Sequence, residues 1–175
     1  MNPIWRKALW QQYGAAIDML DNAIVACPED VWFDRSEQPE YWYVAFHTLF
    51  FLDLYLSETT DGFRPPAPFT LSEMDPSGVM PERAYTKNEL RSYLAHGRAK
   101  CRATIDAMTD EHAARKCHFD WLDISAADLL LYNMRHVNHH TGQLNILLRQ
   151  RAGVVPPGWV RFARSEEPSP TPSVR

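Results

Sequence analysis

Residues 41–56 read YWYVAFHTLFFLDLYL, the most apolar run in the chain, broken only by the imidazole of His47 and the carboxylate of Asp53. Two folds compete for such a segment: a membrane span, or a helix enclosed by other helices. A bilayer core needs about 20 apolar residues, and this run is shorter and carries an imidazole and a carboxylate. It therefore reads as a helix that opens near Pro39, ends about Ser57 before TTDG, and is apolar nearly all round. A helix with no polar face must be surrounded. The neighbours that surround it decide the fold.

Working outward, Asn2-Pro3 is a helix start, since proline in the first turn loses no hydrogen bond. Trp5, Leu9, Tyr13, Ile17, Leu20 and Ile24 then recur at spacings of three and four until Pro28. Downstream of the apolar run, FRPPAPFTLSEMDPSGVMPERAY is too broken by proline and glycine to be helical. A connection that long in a compact domain is expected to be functional or to pack as a flap over the core. Thr86-Lys-Asn-Glu89 is a capping box opening a third helix, with Leu90, Leu94, Gly97, Cys101, Ile105 and Met108 as its inward stripe. A polar and aromatic link containing HFDWLD follows, read without strands. Ser125-Ala-Ala-Asp128 opens a fourth helix that runs to about Arg151, with Gly153 as its C-cap. Four helices of this length predict an all-α four-helix bundle with a long proline-rich loop between helices two and three. One domain, residues 1–164, accounts for it, and 165–175, Ser/Pro-rich and charged, is expected to be a disordered tail.

Bulk properties narrow the function. A chain of 175 residues with a formal charge of −4 and scattered basic residues has no basic face, so no nucleic-acid partner and no membrane partner is expected. The cysteines, Cys27, Cys101 and Cys117, are odd in number and form no CxxC pair, which fits a reduced, cytoplasmic protein and ordinary thiol burial. The N-terminus carries no signal-peptide pattern.

Chemistry concentrates in RHVNHHTGQL, residues 135–144. At about 100° per residue, positions four apart lie within roughly 40° of each other. His136 and His140 therefore share the face of Leu129 and Leu147, while His139 projects toward Arg135, Asn138 and Gly142. An i,i+4 histidine pair is a metal-site spacing, though alone a weak one, since core-edge histidines bonded to backbone or water give the same pattern. His47 strengthens it. An imidazole in the middle of the most apolar helix needs partners for both ring nitrogens, and few side chains nearby in sequence offer them. With His136 and His140 it supplies three nitrogens to a bundle interior, leaving open the coordination position of a catalytic rather than a structural site. Tyr43, one turn before His47, is a pocket or packing residue. Asn133 and Gln143 either orient a ligating imidazole or bond between helices, and Gly142 is read as a close-packing position.

The pattern His136-Val-Asn-His139-His140-Thr-Gly142-Gln143, preceded by His47 in its apolar helix, resembles the DinB-like superfamily of metal-dependent four-helix bundles. The resemblance runs from the first helix to about Arg151. It implies His47, His136 and His140 as the metal ligands, zinc or nickel as the divalent ion, and a homodimer. It also implies a small-molecule substrate. The leading reaction is thiol-dependent S-transfer to an electrophile, with a low-molecular-weight thiol as cosubstrate. Metal-dependent hydrolysis, or a non-catalytic module binding metal or a small ligand, are the alternatives. The sequence itself does not select among them, and it shows no cysteine placed as a nucleophile.

Overall fold

Local capping sets where the long helices begin. A computed structural model of the chain describes residues 1–165, so the expected tail lies outside the described residues except for Ser165. Helix α1 (Pro3–Ala26) opens with the Asn2 side chain accepting from the Ile4 N–H at 2.8 Å. A short α2 (Glu29–Trp32) leads to α3 (Tyr41–Tyr55), the expected apolar helix. Helix α4 (Lys87–Ala107) opens on the complete capping box of Thr86 and Glu89. After a short α5 (Asp110–Ala114), α6 (Ala126–Arg151) opens with Ser125 accepting from the Asp128 N–H. Its end is set by Gly153, whose positive φ of 61° lets the chain reverse so that the Val154 N–H reaches the Leu148 carbonyl.

Helices α1 and α3 each pack against both α4 and α6, so the four long helices form a bundle with α1 and α3 at opposite corners. Twelve of the 15 residues of α3 are buried, which makes it the enclosed helix its composition demands. Among the described residues no helix is long and apolar enough to cross a membrane. Asp53, 1 % exposed on α3, is tolerated because Lys100 of α4 bonds it at 2.5 Å and the Tyr93 hydroxyl donates to it at 3.1 Å. A buried carboxylate without such partners would be strongly destabilising. Gly97 lets α4 come close at this point, since a Cβ there would lie 2.9 Å from Leu52 Cδ2.

Three expectations need correction. The link around HFDWLD is a β-hairpin, β1 (Lys116–Phe119) paired antiparallel with β2 (Leu122–Ser125). Cys117 and Phe119 point inward and Lys116 and His118 outward, but four residues are too few for alternation to stand out in a sequence. Trp5 belongs to the apolar periodicity of α1 yet is 69 % exposed, because it lines an open apolar groove with Leu9, Met108, Leu130 and Met134 and does not enter the core. Gly142 is not a packing position: it is exposed, and a Cβ there would meet nothing within 4 Å.

The proline-rich connection, residues 56–86, does pack over the bundle. Phe63, Phe69 and Tyr85 are buried, with Phe69 stacked on Tyr93 at 4.4 Å between centroids. These anchors hold a single 3-10 turn, Ser72–Met74, against α3.

Candidate metal centre

Helices α3 and α6 meet with three imidazoles between them. His47 stands in the middle of α3, and His136 and His140 stand one turn apart on α6. Their ring centroids lie 4.7 Å (His47–His140) and 4.4 Å (His136–His140) apart. One nitrogen from each ring falls within 4.8 Å of the other two. His139, next in sequence, is exposed on the flank, as the helical wheel requires.

The hydrogen bonds fix which nitrogens face inward. His47 Nδ1 lies 2.6 Å from Glu73 Oε2. A carboxylate only accepts, so His47 carries its proton on Nδ1 and presents the Nε2 lone pair to the cluster. His140 Nδ1 lies 2.7 Å from Gln143 Oε1, with Gln143 Nε2 turned toward His139, so His140 likewise presents Nε2. His136 Nε2 approaches His47 Nε2 at 3.4 Å, and His136 Nδ1 is buried with no partner. Lone pairs converging in a half-buried space repel unless a cation or shared proton lies between them. Bonds of about 2.0–2.1 Å to a tetrahedral zinc place ligating nitrogens about 3.3–3.4 Å apart. The His47–His136 pair has that spacing, and one nitrogen from each of the three rings lies within 4.8 Å of the other two. The donor set, its tautomers and its spacing fit a divalent ion.

Burial adds to this. His136 is pushed down from the ordinary 6.5 to about 3 and His140 to about 4, chiefly by desolvation of the charged ring. Both rings are therefore held in the neutral form, the form in which an imidazole can bind a metal. The same shifts make a stability prediction for the metal-free protein. Above pH 6.5 neither folded nor unfolded imidazoles hold the extra proton, so these groups contribute no pH dependence. Below it the unfolded chain takes up protons that the folded sites refuse until about pH 4 and 3, so stability falls as pH falls through that window. The melting temperature of metal-free protein is expected to drop from pH 7 to pH 5, and His136→Gln to show a shallower drop. An equal slope in both would contradict the assignment.

A cavity of about 450 Å³ opens above the imidazoles. Phe51, Tyr55, Trp121 and Tyr132 form one wall, and the turn carrying Glu73, Met74, Asp75 and Pro76 forms the other. The hairpin tip delivers Trp121, whose Nε1–H donates to the Tyr55 hydroxyl at 3.2 Å.

The remaining residues singled out in the sequence divide. Tyr43 does not line the cavity. It packs on Trp42, Phe46 and His47, and burial, then the neighbouring Glu73 carboxylate, push its phenol above the usual range. Asn133 bonds between helices, donating to the Leu52 carbonyl at 3.0 Å, and does not touch the histidines. Gln143 does orient an imidazole, that of His140. The three thiols are buried and raised by desolvation, Cys27 to about 12 and Cys117 to about 11. None lines the cavity.

Sequence reasoning missed Glu73, the partner that His47 lacked, which comes from 26 residues away. It also did not single out Phe51, Tyr55, Trp121 and Tyr132, which wall the cavity. No periodicity marks a turn inside a proline-rich connection. A demand does mark it: an imidazole in an apolar helix must find a partner, and this connection is the part of the chain that follows.

A family model described as the DinB superfamily matches residues 12–144. Among solved structures, the crystal structure of a DinB-like protein, YjoA, from Bacillus subtilis superposes with a TM-score of 0.60 at 14% sequence identity, covering 88% of this chain and 99% of that one. At that identity the likeness speaks for the fold alone. No curated protein is significantly similar to the chain.

Proposed function

The chain belongs to the DinB superfamily, and from that premise we propose that it is a metal-dependent enzyme whose ion, zinc or nickel, is held by His47, His136 and His140. The observation that carries this reading is the convergence of one ring nitrogen from each of three histidines at the base of a cavity large enough for a small molecule. Three protein nitrogens leave a coordination position free for a reactant. A divalent ion there lowers the pKa of a thiol or water that reaches it, so that a nucleophile is available at neutral pH. Everything else falls to the chain's own side chains. Glu73 and Gln143 hold two imidazoles in the tautomer that donates through Nε2. The aromatic wall excludes water and positions the body of the substrate.

The chain supplies no thiol of its own to the cavity, which supports a reading in which the nucleophile arrives with a cosubstrate. We take S-transfer from a low-molecular-weight thiol to an electrophile as the leading reaction. Hydrolysis is the second reading, since a water that reaches the ion at the base of the cavity is activated in the same way as a thiol.

Protein purified without chelator or affinity tag is expected to carry about one divalent ion per chain. The loaded form is expected to consume thiol together with an electrophile, or to hydrolyse an activated ester or amide. Substoichiometric metal that neither zinc nor nickel restores would overturn the metal reading. Full loading with no turnover on either panel would leave a binding module in place of an enzyme.

A further inference from the structure

The cavity over the histidines is lined unevenly. Its aromatic side offers ring faces from Trp121, which is 46 % exposed, and the half-buried Tyr132. Its opposite rim carries two carboxylates, Glu73 and Asp75, and among the described residues lining it there is no lysine or arginine. The Glu73 side chain is only 4 % exposed, so water screens its charge poorly. Its Oε2 is committed to His47, whereas Oε1 is buried and unpartnered. Oε1 is closed off from the cavity and the Tyr43 phenol lies beside the carboxylate, so Glu73 acts on a bound molecule through its charge. Asp75 is held in place at the mouth by the Ser77 N–H and hydroxyl, at 2.8 and 2.5 Å.

We propose that this site selects small molecules that carry an aromatic arm and a hydrogen-bond-donating or cationic nitrogen, and rejects those whose arm bears a carboxylate or phosphate. The inference rests on the metal reading above. The reactive atom meets the ion at the base, the arm lies along Trp121 and Tyr132, and the nitrogen faces the turn with Glu73 and Asp75. Two formal negative charges on that turn offset the ion's two positive ones. An anionic donor atom still gains from direct coordination, but a second negative charge farther out meets carboxylates and no lysine or arginine among the residues lining this cavity. A cation there meets carboxylates and ring faces together, both favourable.

Cobalt-loaded protein gives a test independent of turnover, because a thiolate that reaches cobalt produces a charge-transfer band. Two benzyl mercaptans serve as probes, one with a para aminomethyl group and one with a para carboxylate. They share the arm, and their charges sit across the ring from the thiol. Cysteamine serves as the armless control. The ammonium probe is expected to bind at least about tenfold more tightly than the carboxylate probe. Asp75→Asn, which keeps the side-chain bonds to Ser77 available, should shrink that ratio. Trp121→Ala should weaken both aryl probes several-fold and leave cysteamine unchanged. Equal binding of the two charges, preference for the carboxylate, or the absence of a charge-transfer band with any probe would overturn the proposal. Failure of cobalt to bind at all, visible before any thiol is added, would instead overturn the metal reading beneath it.

Discussion

His140→Ala is expected to weaken zinc binding by at least about 100-fold, more than the 10–100-fold typical of losing an outer hydrogen-bond partner, while His139→Ala stays within a few-fold of the parent. The two residues are adjacent and chemically identical, so their difference is purely one of direction. His140 sits one turn after His136, its ring 4.7 Å from that of His47 on the opposing helix. Removing it leaves two nitrogens, and loses both the enthalpy of the third bond and its share of preorganisation. His139 is exposed and meets the cluster from outside, its ring edge-on to that of His140 at 5.0 Å and 3.3 Å from Gln143 Nε2. Losing that contact leaves the Gln143–His140 bond in place. Each variant would be checked for helical content and titrated with zinc against a competing chelator. Loss of the metal in His139→Ala and retention in His140→Ala would overturn the triad.

That contrast was readable in advance because it depends on helical periodicity alone. The same holds for the helix starts at Asn2, Thr86 and Ser125, where a side-chain oxygen a few residues from its N–H partner decides the outcome locally. His47 was readable for a different reason: an ionisable residue in a surrounded helix costs too much to be incidental. What stayed hidden depends on contacts distant in sequence. The turn bearing Glu73 is placed by Phe63, Phe69 and Tyr85 sinking into an aromatic cluster with residues of α3 and α4. None of these has a periodic neighbour to announce it. The hairpin is too short for alternation to register, yet it carries Trp121 to the cavity mouth. Trp5 shows the opposite failure, since it keeps the helical period yet faces an open groove between α1 and α6 and not the core. Gly142 shows that a motif residue flanked by functional neighbours need not pack at all.

Glu73→Ala is expected to weaken zinc binding by roughly 10–100-fold and to uncouple the 56–86 connection from the metal. Glu73 Oε2, 2.6 Å from His47 Nδ1, fixes both the tautomer and the angle of that ring. Without it His47 can rotate or carry its proton on Nε2, and each such population must be reversed before an ion binds. Glu73→Gln keeps an acceptor but loses the charge, so it should fall between Ala and the parent. A second measurement separates this positioning role from simple damage to the fold. In the parent, metal and connection act through one bond, so adding zinc should slow hydrogen exchange and proteolysis around residues 70–78. By linkage the docked turn strengthens zinc binding by the same factor that zinc strengthens docking. In Glu73→Ala that protection by zinc should vanish even at saturating metal, while the helices exchange as slowly as before. A variant that binds zinc like the parent, or whose turn is still protected when zinc is added, would show that Glu73 merely fills space beside His47.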